Sequence, residues 1–187
     1  NSPELNDNEY LDSPEFTSIL GAAKITGKTK KGWSLGILES LTSEEFANIS
    51  NGHQRTEMIE PFTNYSIGRV QKDFDKGNTI LGGMFTMVNR NVEEEQLNYL
   101  HKTALTGGFD FVHKWHNKDW EFDLSSYFSR VEGSAEAITN TQQSWIHGFQ
   151  RPDATHVQLD TTRTSLSGQG GKIVLSKIGG KLKFMAA

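Results

Sequence analysis

Four tight polar turns recur along the chain at similar intervals, and each joins two segments that have the character of β-strands. The turns are Thr29-Lys30-Lys31-Gly32, Asp73-Phe74-Asp75-Lys76-Gly77-Asn78, His116-Asn117-Lys118-Asp119 and Ser167-Gly168-Gln169-Gly170-Gly171. The connections between these hairpins are much longer and cover approximately residues 42–62, 91–102 and 132–154. Short loops at one end and long loops at the other are typical of a transmembrane β-barrel of the bacterial outer membrane. A soluble β-sandwich usually mixes loop lengths at both ends.

Composition is compatible with such a barrel. Hydrophobic residues make up 35% of the 187 residues, a low value that is expected when half of each strand faces a polar lumen. No run of about 18 apolar residues exists, so the sequence predicts no transmembrane helix. The net charge of −4 gives no sign of a nucleic-acid partner, and the absence of cysteine excludes disulfides and thiolate metal sites.

The chain divides into a polar N-terminal extension, residues 1–16, and a region of strands and loops, residues 17–187. No signal peptide is visible, so we expect a mature or shortened product or a piece of something longer.

The third hairpin shows the period of two that marks a half-buried strand most clearly. One face carries Leu105, Phe109, Phe111, Trp115, Trp120, Phe122, Leu124 and Phe128. The other carries Thr106, Asp110, Lys114, Glu121, Asp123, Ser125, Tyr127 and Ser129. Trp115 and Trp120 flank the turn, and Trp33 follows the first turn directly. We therefore expect all three tryptophans in an aromatic girdle at a membrane interface.

The other hairpins are less regular. The first places Ile25 with Trp33, Leu35 and Ile37 in one apolar set. The second has apolar residues on both faces, so its lumen side stays unassigned, and Arg69 shares a face with Tyr65 and Ile67 unless a bulge intervenes. The fourth, residues 155–166 and 172–178, is polar and weakly periodic. Together these segments predict an all-β fold, an antiparallel up-and-down meander of about eight strands that forms a barrel or a segment of a larger barrel.

Short helices are expected in the long loops. Thr42 and Glu45 have the spacing of a capping box. Residues 92–101 place Leu97 and Leu100 at a helical interval, and residues 136–143 form a third candidate.

Several stretches together resemble a family of Gram-negative outer-membrane proteins that has no agreed function. They are Ile19-Leu20-Gly21-Ala22-Ala23-Lys24-Ile25-Thr26-Gly27-Lys28, Gly32-Trp33-Ser34-Leu35-Gly36, Glu60-Pro61-Phe62-Thr63-Asn64-Tyr65, Gly82-Gly83-Met84 with Asn89-Arg90, Gly107-Gly108-Phe109-Asp110-Phe111, and Phe149-Gln150-Arg151-Pro152-Asp153. In that family a periplasmic domain, similar to a family-nine carbohydrate-binding module, precedes a long C-terminal β-barrel. The resemblance implies that this chain is part of the barrel, in the outer membrane, and linked to the handling of glycans or other nutrients. It supplies no catalytic residues.

Two polar sets are candidates for ligand binding. Arg151 and Asp153 could bind a ligand at the outer rim, or Arg151 could pair with an acid and hold its loop against the wall. Asp110, Glu121, Asp123 and Arg69 lie on expected lumen faces. Glu121 and Asp123 stand about 6.5–7 Å apart along one strand, a spacing that permits acid–base work, but a mixed-charge lumen is what any barrel shows.

No catalytic constellation is evident. His113 and His116 form a His-x-x-His pair whose second member falls in a turn, so we expect no metal site. No phosphate loop, nucleophile elbow or dinucleotide fingerprint is present, and no cofactor is expected.

The favoured hypothesis is a barrel segment with a passive structural, transport or ligand-binding role. Its partners would be outer-membrane lipid, the remainder of its own barrel or other outer-membrane proteins, and a glycan. The alternative is a soluble β-sheet module that binds carbohydrate through Trp115, Trp120 and Trp145. An enzyme that uses Glu121 or Asp123 ranks last.

Overall fold

The computed structural model describes residues 3, 5–153, 157–181 and 183–186 and is dominated by β-strands. The strands are β1 (Tyr10–Asp12), β2 (Ile19–Lys28), β3 (Trp33–Thr42), β4 (Glu45–Ser50), β5 (Gln54–Glu60), β6 (Thr63–Phe74), β7 (Thr79–Arg90), β8 (His101–Trp115), β9 (Trp120–Gly133), β10 (Ser165–Lys177) and β11 (Phe184–Ala186). One α-helix, α1 (Ala135–Gln143), and two short 3₁₀ turns, Asp75–Gly77 and Glu95–Leu97, complete the elements.

Eight strands form one antiparallel sheet in the order β11-β10-β9-β8-β7-β6-β3-β2. Neighbours in this sheet follow one another along the chain, apart from β4 and β5, which leave it between β3 and β6. The predicted all-β, up-and-down meander of about eight strands is confirmed. In the described part of the chain, no backbone pairing joins β2 to β10 or β11.

The connections at the two ends of this sheet differ in length. The connections after β2, β6, β8 and β10 are short and lie at one end, which we call the turn end. Residues 43–62, 91–100 and 134–164 connect strands at the opposite end, the long-connection end. The first three predicted turns and the first two long connections are therefore found where the sequence indicated them, and the third long connection extends ten residues beyond its predicted end.

The fourth predicted turn is wrong. Residues 167–171 lie inside β10, which pairs with β9 without interruption from Ser165 to Lys177, and the last short turn follows β10 instead. The glycines serve packing: a Cβ on Gly170 would come within 2.5 Å of the Tyr127 ring, and one on Gly171 within 2.9 Å of the Ser125 carbonyl oxygen. Of the predicted strand at 155–166, residues 155 and 156 lie outside the described residues, and 157–164 form no strand.

The predicted helix at Thr42 is also wrong, because tertiary contacts take both residues of the capping box. Glu45 accepts a hydrogen bond from the Ser18 amide at 2.7 Å, and the Thr42 hydroxyl donates to the Thr63 carbonyl at 3.4 Å. The chain from Glu45 continues as β4. Residues 92–101 contain only the 3₁₀ turn Glu95–Leu97.

The predicted helix at 136–143 is confirmed as α1, capped by the Ser134 hydroxyl, which accepts from the Ala137 amide at 3.0 Å. Among the described residues, no helix is long and apolar enough to cross a membrane.

The tightly packed core lies at the long-connection end. There β1, β4 and β5 form a second, three-stranded sheet, so residues 10–12 of the polar N-terminal stretch are part of a strand ladder. The buried apolar side chains of the described residues are Ala47, Ile49, Ile59, Pro61, Leu97, Ala137 and Ile138 at this end, and Val174 in the large sheet. Within the described residues, no second layer packs on either face of the large sheet, which is therefore a single layer.

Register separates the two faces of the large sheet. One, the apolar face, carries Ile25, Leu35, Ile37, Val70, Leu81, Phe85, Met87, Leu105, Phe109, Phe111, Phe122, Leu124, Phe128, Ile173 and Leu175. The other, the charged face, carries Lys24, Lys28, Arg69, Asp110, Lys114, Glu121, Asp123 and Lys172. The pairing of β6 with β7 shows no register shift, so no bulge intervenes and Arg69 shares the charged face with Tyr65 and Ile67.

Two glycine substitutions test the close packing of neighbouring strands. A Cβ on Gly108 would lie 2.5 Å from the Ser126 carbonyl oxygen and 3.2 Å from the Tyr127 Cα, so backbone would have to move. Gly108→Ala should lower the free energy of unfolding by about 1–3 kcal/mol. Gly21→Ala is the matched control, because nothing lies within 4 Å of its Cβ position. Urea titrations that show equal loss for both variants would contradict this packing.

Candidate functional site

Three ion pairs form a belt of charge on the charged face. Arg69 on β6 pairs with Asp110 on β8, Lys114 on β8 with Glu121 on β9 at 2.8 Å, and Lys172 on β10 with Asp123 on β9 at 3.4 Å. The structure thus brings together four residues that the sequence singled out, Arg69, Asp110, Glu121 and Asp123. It adds two lysines: Lys114, which alternation places on this face, and Lys172, which the sequence assigned to no face because its hairpin is weakly periodic.

The first pair reaches across an intervening strand. Gly82 on β7 lies between Arg69 and Asp110, and a Cβ there would come within 2.6 Å of both the Arg69 Nη2 and the Asp110 Oδ2. The absent side chain lets the guanidinium bind the carboxylate in two places, with Nη2 and Oδ2 3.0 Å apart. This hydrogen bonding raises the pKa of Arg69 above its ordinary value. A bidentate ion pair follows.

Both carboxylates that β9 contributes to the belt are held in ion pairs. Glu121 pairs with Lys114, and Asp123 pairs with Lys172. The spacing of Glu121 and Asp123 along β9 would permit an acid–base pair, but each carboxylate has a lysine as its structural partner. Chemically, the belt offers alternating positive and negative groups to water or a polar solute.

An aromatic row occupies the turn end of the apolar face. Trp115 and Trp120 stack with ring centroids 5.9 Å apart, and Phe184 meets Trp120 edge-on at 5.5 Å. Trp33 lies at the same end on β3. The sequence had indicated the three tryptophans, and it missed Phe184, whose strand β11 was not expected.

Two lysines lie against this row. The Lys177 ammonium is 5.3 Å from the Trp120 ring centre, and the Lys72 ammonium is 5.3 Å from Trp33 and 5.2 Å from Phe74. These are cation–π distances. The turn end of the apolar face thus combines aromatic rings with positive charge.

Arg151 and Asp153 bind each other in the connection that follows α1. The Arg151 Nη2 lies 2.5 Å from the Asp153 Oδ2, and the side chains are 65% and 68% exposed. Hydrogen bonding to Arg151 lowers the pKa of the Asp153 carboxyl. The pair forms within its own loop, and neither residue belongs to the belt.

A polar cavity of about 620 Å³ opens at the long-connection end. Arg55, Glu57, Glu95, Tyr99 and Glu136 are among its lining residues. Arg55 pairs with Glu9 at 3.0 Å and with Glu57 at 2.6 Å. Burial, and to a lesser degree the charge of Glu60, raise the pKa of Tyr99. Sequence reasoning missed this cavity because distant segments contribute its walls.

The two histidines of the His-x-x-His pair have separate surroundings. His113 Nδ1 shares a hydrogen bond with the Thr79 hydroxyl at 2.8 Å, whereas His116 lies in the β8–β9 turn with a positive φ of 51°. Among the described residues, no three His, Asp or Glu side chains converge as metal ligands.

A double-mutant cycle measures the pair that crosses β7. Arg69 and Asp110 side chains are 38% and 30% exposed, so solvent screening reduces their coupling to about 0.5–1 kcal/mol. Arg69→Gln, Asp110→Asn and the double variant should give this value in urea titrations. Arg151→Gln and Asp153→Asn form the control cycle, where we expect no measurable coupling. Zero coupling in the first cycle would contradict a fixed pair.

The contact between His101 on β8 and Thr141 on α1 predicts that stability depends on pH. His101 Nε2 bonds to the Thr141 hydroxyl at 2.7 Å, and burial, with a smaller contribution from Arg90, lowers the His101 pKa below 6.5. The unfolded chain therefore binds the proton more readily, so stability is present above about pH 6.5 and is lost as pH falls through the folded-state pKa.

His101→Gln should flatten the decline in unfolding free energy between pH 7 and pH 5. Above pH 7 the two proteins should show parallel curves. An unchanged slope between pH 7 and pH 5 would contradict the assignment to His101.

Comparison with known proteins identifies a family. The sequence model described as "Domain of unknown function (DUF5916)" matches residues 1–169, from the N-terminal stretch to the middle of β10. No curated protein and no solved structure matches the chain. This match fits the uncharacterised family expected from the sequence. The chain belongs to the DUF5916 family.

Proposed function

We propose that the chain forms part of the wall of a β-barrel in the bacterial outer membrane, with a passive structural, transport or ligand-binding role. The observation that carries this proposal is the single-layer amphipathic sheet. Its apolar face would meet lipid, and its charged face would line the lumen. Barrel walls alternate in this way because lipid lies on one side and water on the other.

The apolar face exposes large side chains that a folded protein usually buries. Phe109 is 49% exposed, Phe85 47% and Ile173 60%. Removing a large apolar side chain from water stabilises a protein by about 1.5–3 kcal/mol, and a sheet normally gains this by packing against a second layer. No layer of the described chain covers this face. A lipid environment would supply the missing burial.

Strand length and the aromatic row support the same arrangement. A tilted strand crosses the hydrocarbon core in about 9–11 residues, and β2, β3, β6, β7, β8, β9 and β10 have between 10 and 15 residues. Trp33, Trp115 and Trp120 lie beside short turns, where an interfacial girdle with nearby lysines is expected. The short turns would then face the periplasm and the long connections the exterior.

The charged belt indicates what the lumen could accept. Arg69–Asp110, Lys114–Glu121 and Lys172–Asp123 would present balanced charge, which suits polar, uncharged or zwitterionic solutes. A link to glycans or other nutrients follows from the family resemblance, in which a carbohydrate-binding-like domain accompanies the barrel. Outer-membrane lipid and further strands of the barrel would be the immediate partners.

Single-cysteine probes on adjacent residues test the assignment of faces. The chain has no cysteine, so each variant carries one unique label. Leu124→Cys places a fluorophore on the apolar face, and Ser125→Cys places the matched control on the charged face. Both wild-type side chains are half-buried in the protein alone.

After reconstitution, brominated lipid should quench the fluorophore at position 124 strongly and that at position 125 weakly. Equal quenching at both positions, or none at either, would overturn the proposal.

Fractionation separates this proposal from the soluble alternative. A barrel wall should remain in carbonate-washed outer membrane and require detergent for release. A soluble carbohydrate-binding module should be released as a folded monomer, and sugars should quench its tryptophan fluorescence. Trp145, which is 91% exposed, is the residue to replace in that case.

A further inference from the structure

One lateral edge of the large sheet, formed by β2, has no partner strand among the described residues. β2 bonds to β3 on one side, and every one of its ten residues is exposed. No other strand of the described chain pairs with β2. In an antiparallel pair, alternate backbone amides and carbonyls point away from the partner strand, so β2 offers a row of unused donors and acceptors.

Strand direction limits what can pair there. β2 and β10 both run from the long-connection end to the turn end, because seven long strands alternate between them and include both. They therefore cannot pair with each other in an antiparallel ladder. The missing neighbour of β2 must run from the turn end to the long-connection end, as β11 does.

Charge also limits which strand can pair with β2. Three other cations of the charged face, Arg69, Lys114 and Lys172, each pair with a carboxylate. Arg90, at the long-connection end of the same face, donates a hydrogen bond to the His101 carbonyl oxygen. Lys24 and Lys28 on β2 stand opposite Leu38 and Ser34 of β3. Within the described residues, neither lysine has an ion-pair or hydrogen-bond partner. Two positive groups on the unpaired strand thus lack acids of the kind that pair with Arg69, Lys114 and Lys172.

A second copy that paired through its own β2, centred on Thr26, does not satisfy these conditions. Antiparallel pairing of two β2 strands about Thr26 would bring Lys24 of one copy opposite Lys28 of the other, and like charges directly opposite destabilise a sheet. It would also place the short turns of the two copies at opposite ends.

We propose that the β2 edge is a docking site for an antiparallel strand that presents acidic residues opposite Lys24 and Lys28. On the other face, that strand carries apolar residues that continue the row of Ile25 and Ile37. Backbone hydrogen bonds supply the affinity of such strand addition, and side-chain pairs set its specificity. The acids of the docked strand would extend the belt of ion pairs by one strand. The assignment of the apolar face to lipid and the charged face to the lumen rests on the proposed barrel function.

Two synthetic ten-residue peptides test the site on the whole detergent-solubilised chain. Both alternate valine with a polar residue, and the polar positions opposite Lys24 and Lys28 are glutamate in one peptide and lysine in the other. The glutamate peptide should bind about tenfold more tightly at low salt, and its binding should slow hydrogen exchange of alternate β2 amides. The preference should weaken as ionic strength rises.

The variant Lys24→Glu/Lys28→Glu should reverse the preference, and Lys24→Gln/Lys28→Gln should abolish it. Both variants change exposed side chains, so folding should be retained, which circular dichroism checks. Absence of binding, equal binding of the two peptides, or protection at strands other than β2 would overturn the docking proposal. Lipid quenching at position 124 is independent of this result, so failure of the docking site is distinguishable from failure of the membrane assignment.

Discussion

The backbone hydrogen-bond ladder of the eight-stranded sheet is the constraint on which the rest of the structure depends. In most domains a sheet is held by a core that it shares with another layer. Here the buried side chains lie mainly at the long-connection end, and the large sheet has Val174 alone among the buried apolar residues of the described chain. Register must therefore be maintained by the ladder itself and by side chains that contact across strands.

Several of those cross-strand contacts depend on glycine. The Phe85 ring lies over Gly68, the Phe128 ring over Gly107, and the Tyr127 ring against Gly170. Gly82 gives Arg69 room to reach Asp110 across β7. A one-residue slip would move each large side chain to the opposite face and away from its glycine. These contacts thus help to fix the register of the strands, because the large sheet has almost no buried core of its own to define it.

The two ends of the sheet differ because their connections differ. Short turns at one end leave the aromatic row of Trp33, Trp115 and Trp120 beside them. The long connections have enough residues to build the three-stranded sheet, α1 and a buried core. Gln142 of α1 illustrates the difference: its side-chain amide donates to the Asp160 carbonyl at 2.8 Å and accepts from the Asp160 amide at 2.9 Å, which joins the helix to the last long connection.

The sequence by itself determined the period-two alternation, the first three turns and the assignment of side chains to two faces in β8 and β9, because strand geometry couples position to face directly. It did not determine the roles of Gly170 and Gly171. Glycine is common both in turns and at close contacts between strands, and only the neighbouring Tyr127 and Ser125 show that these two glycines serve close packing. The sequence also misjudged Thr42 and Glu45, whose local capping potential was outcompeted by contacts with Thr63 and Ser18. The ion pair of Arg69 with Asp110, 41 residues apart, required the tertiary structure, because only the lateral order of β6, β7 and β8 brings the two side chains together over Gly82.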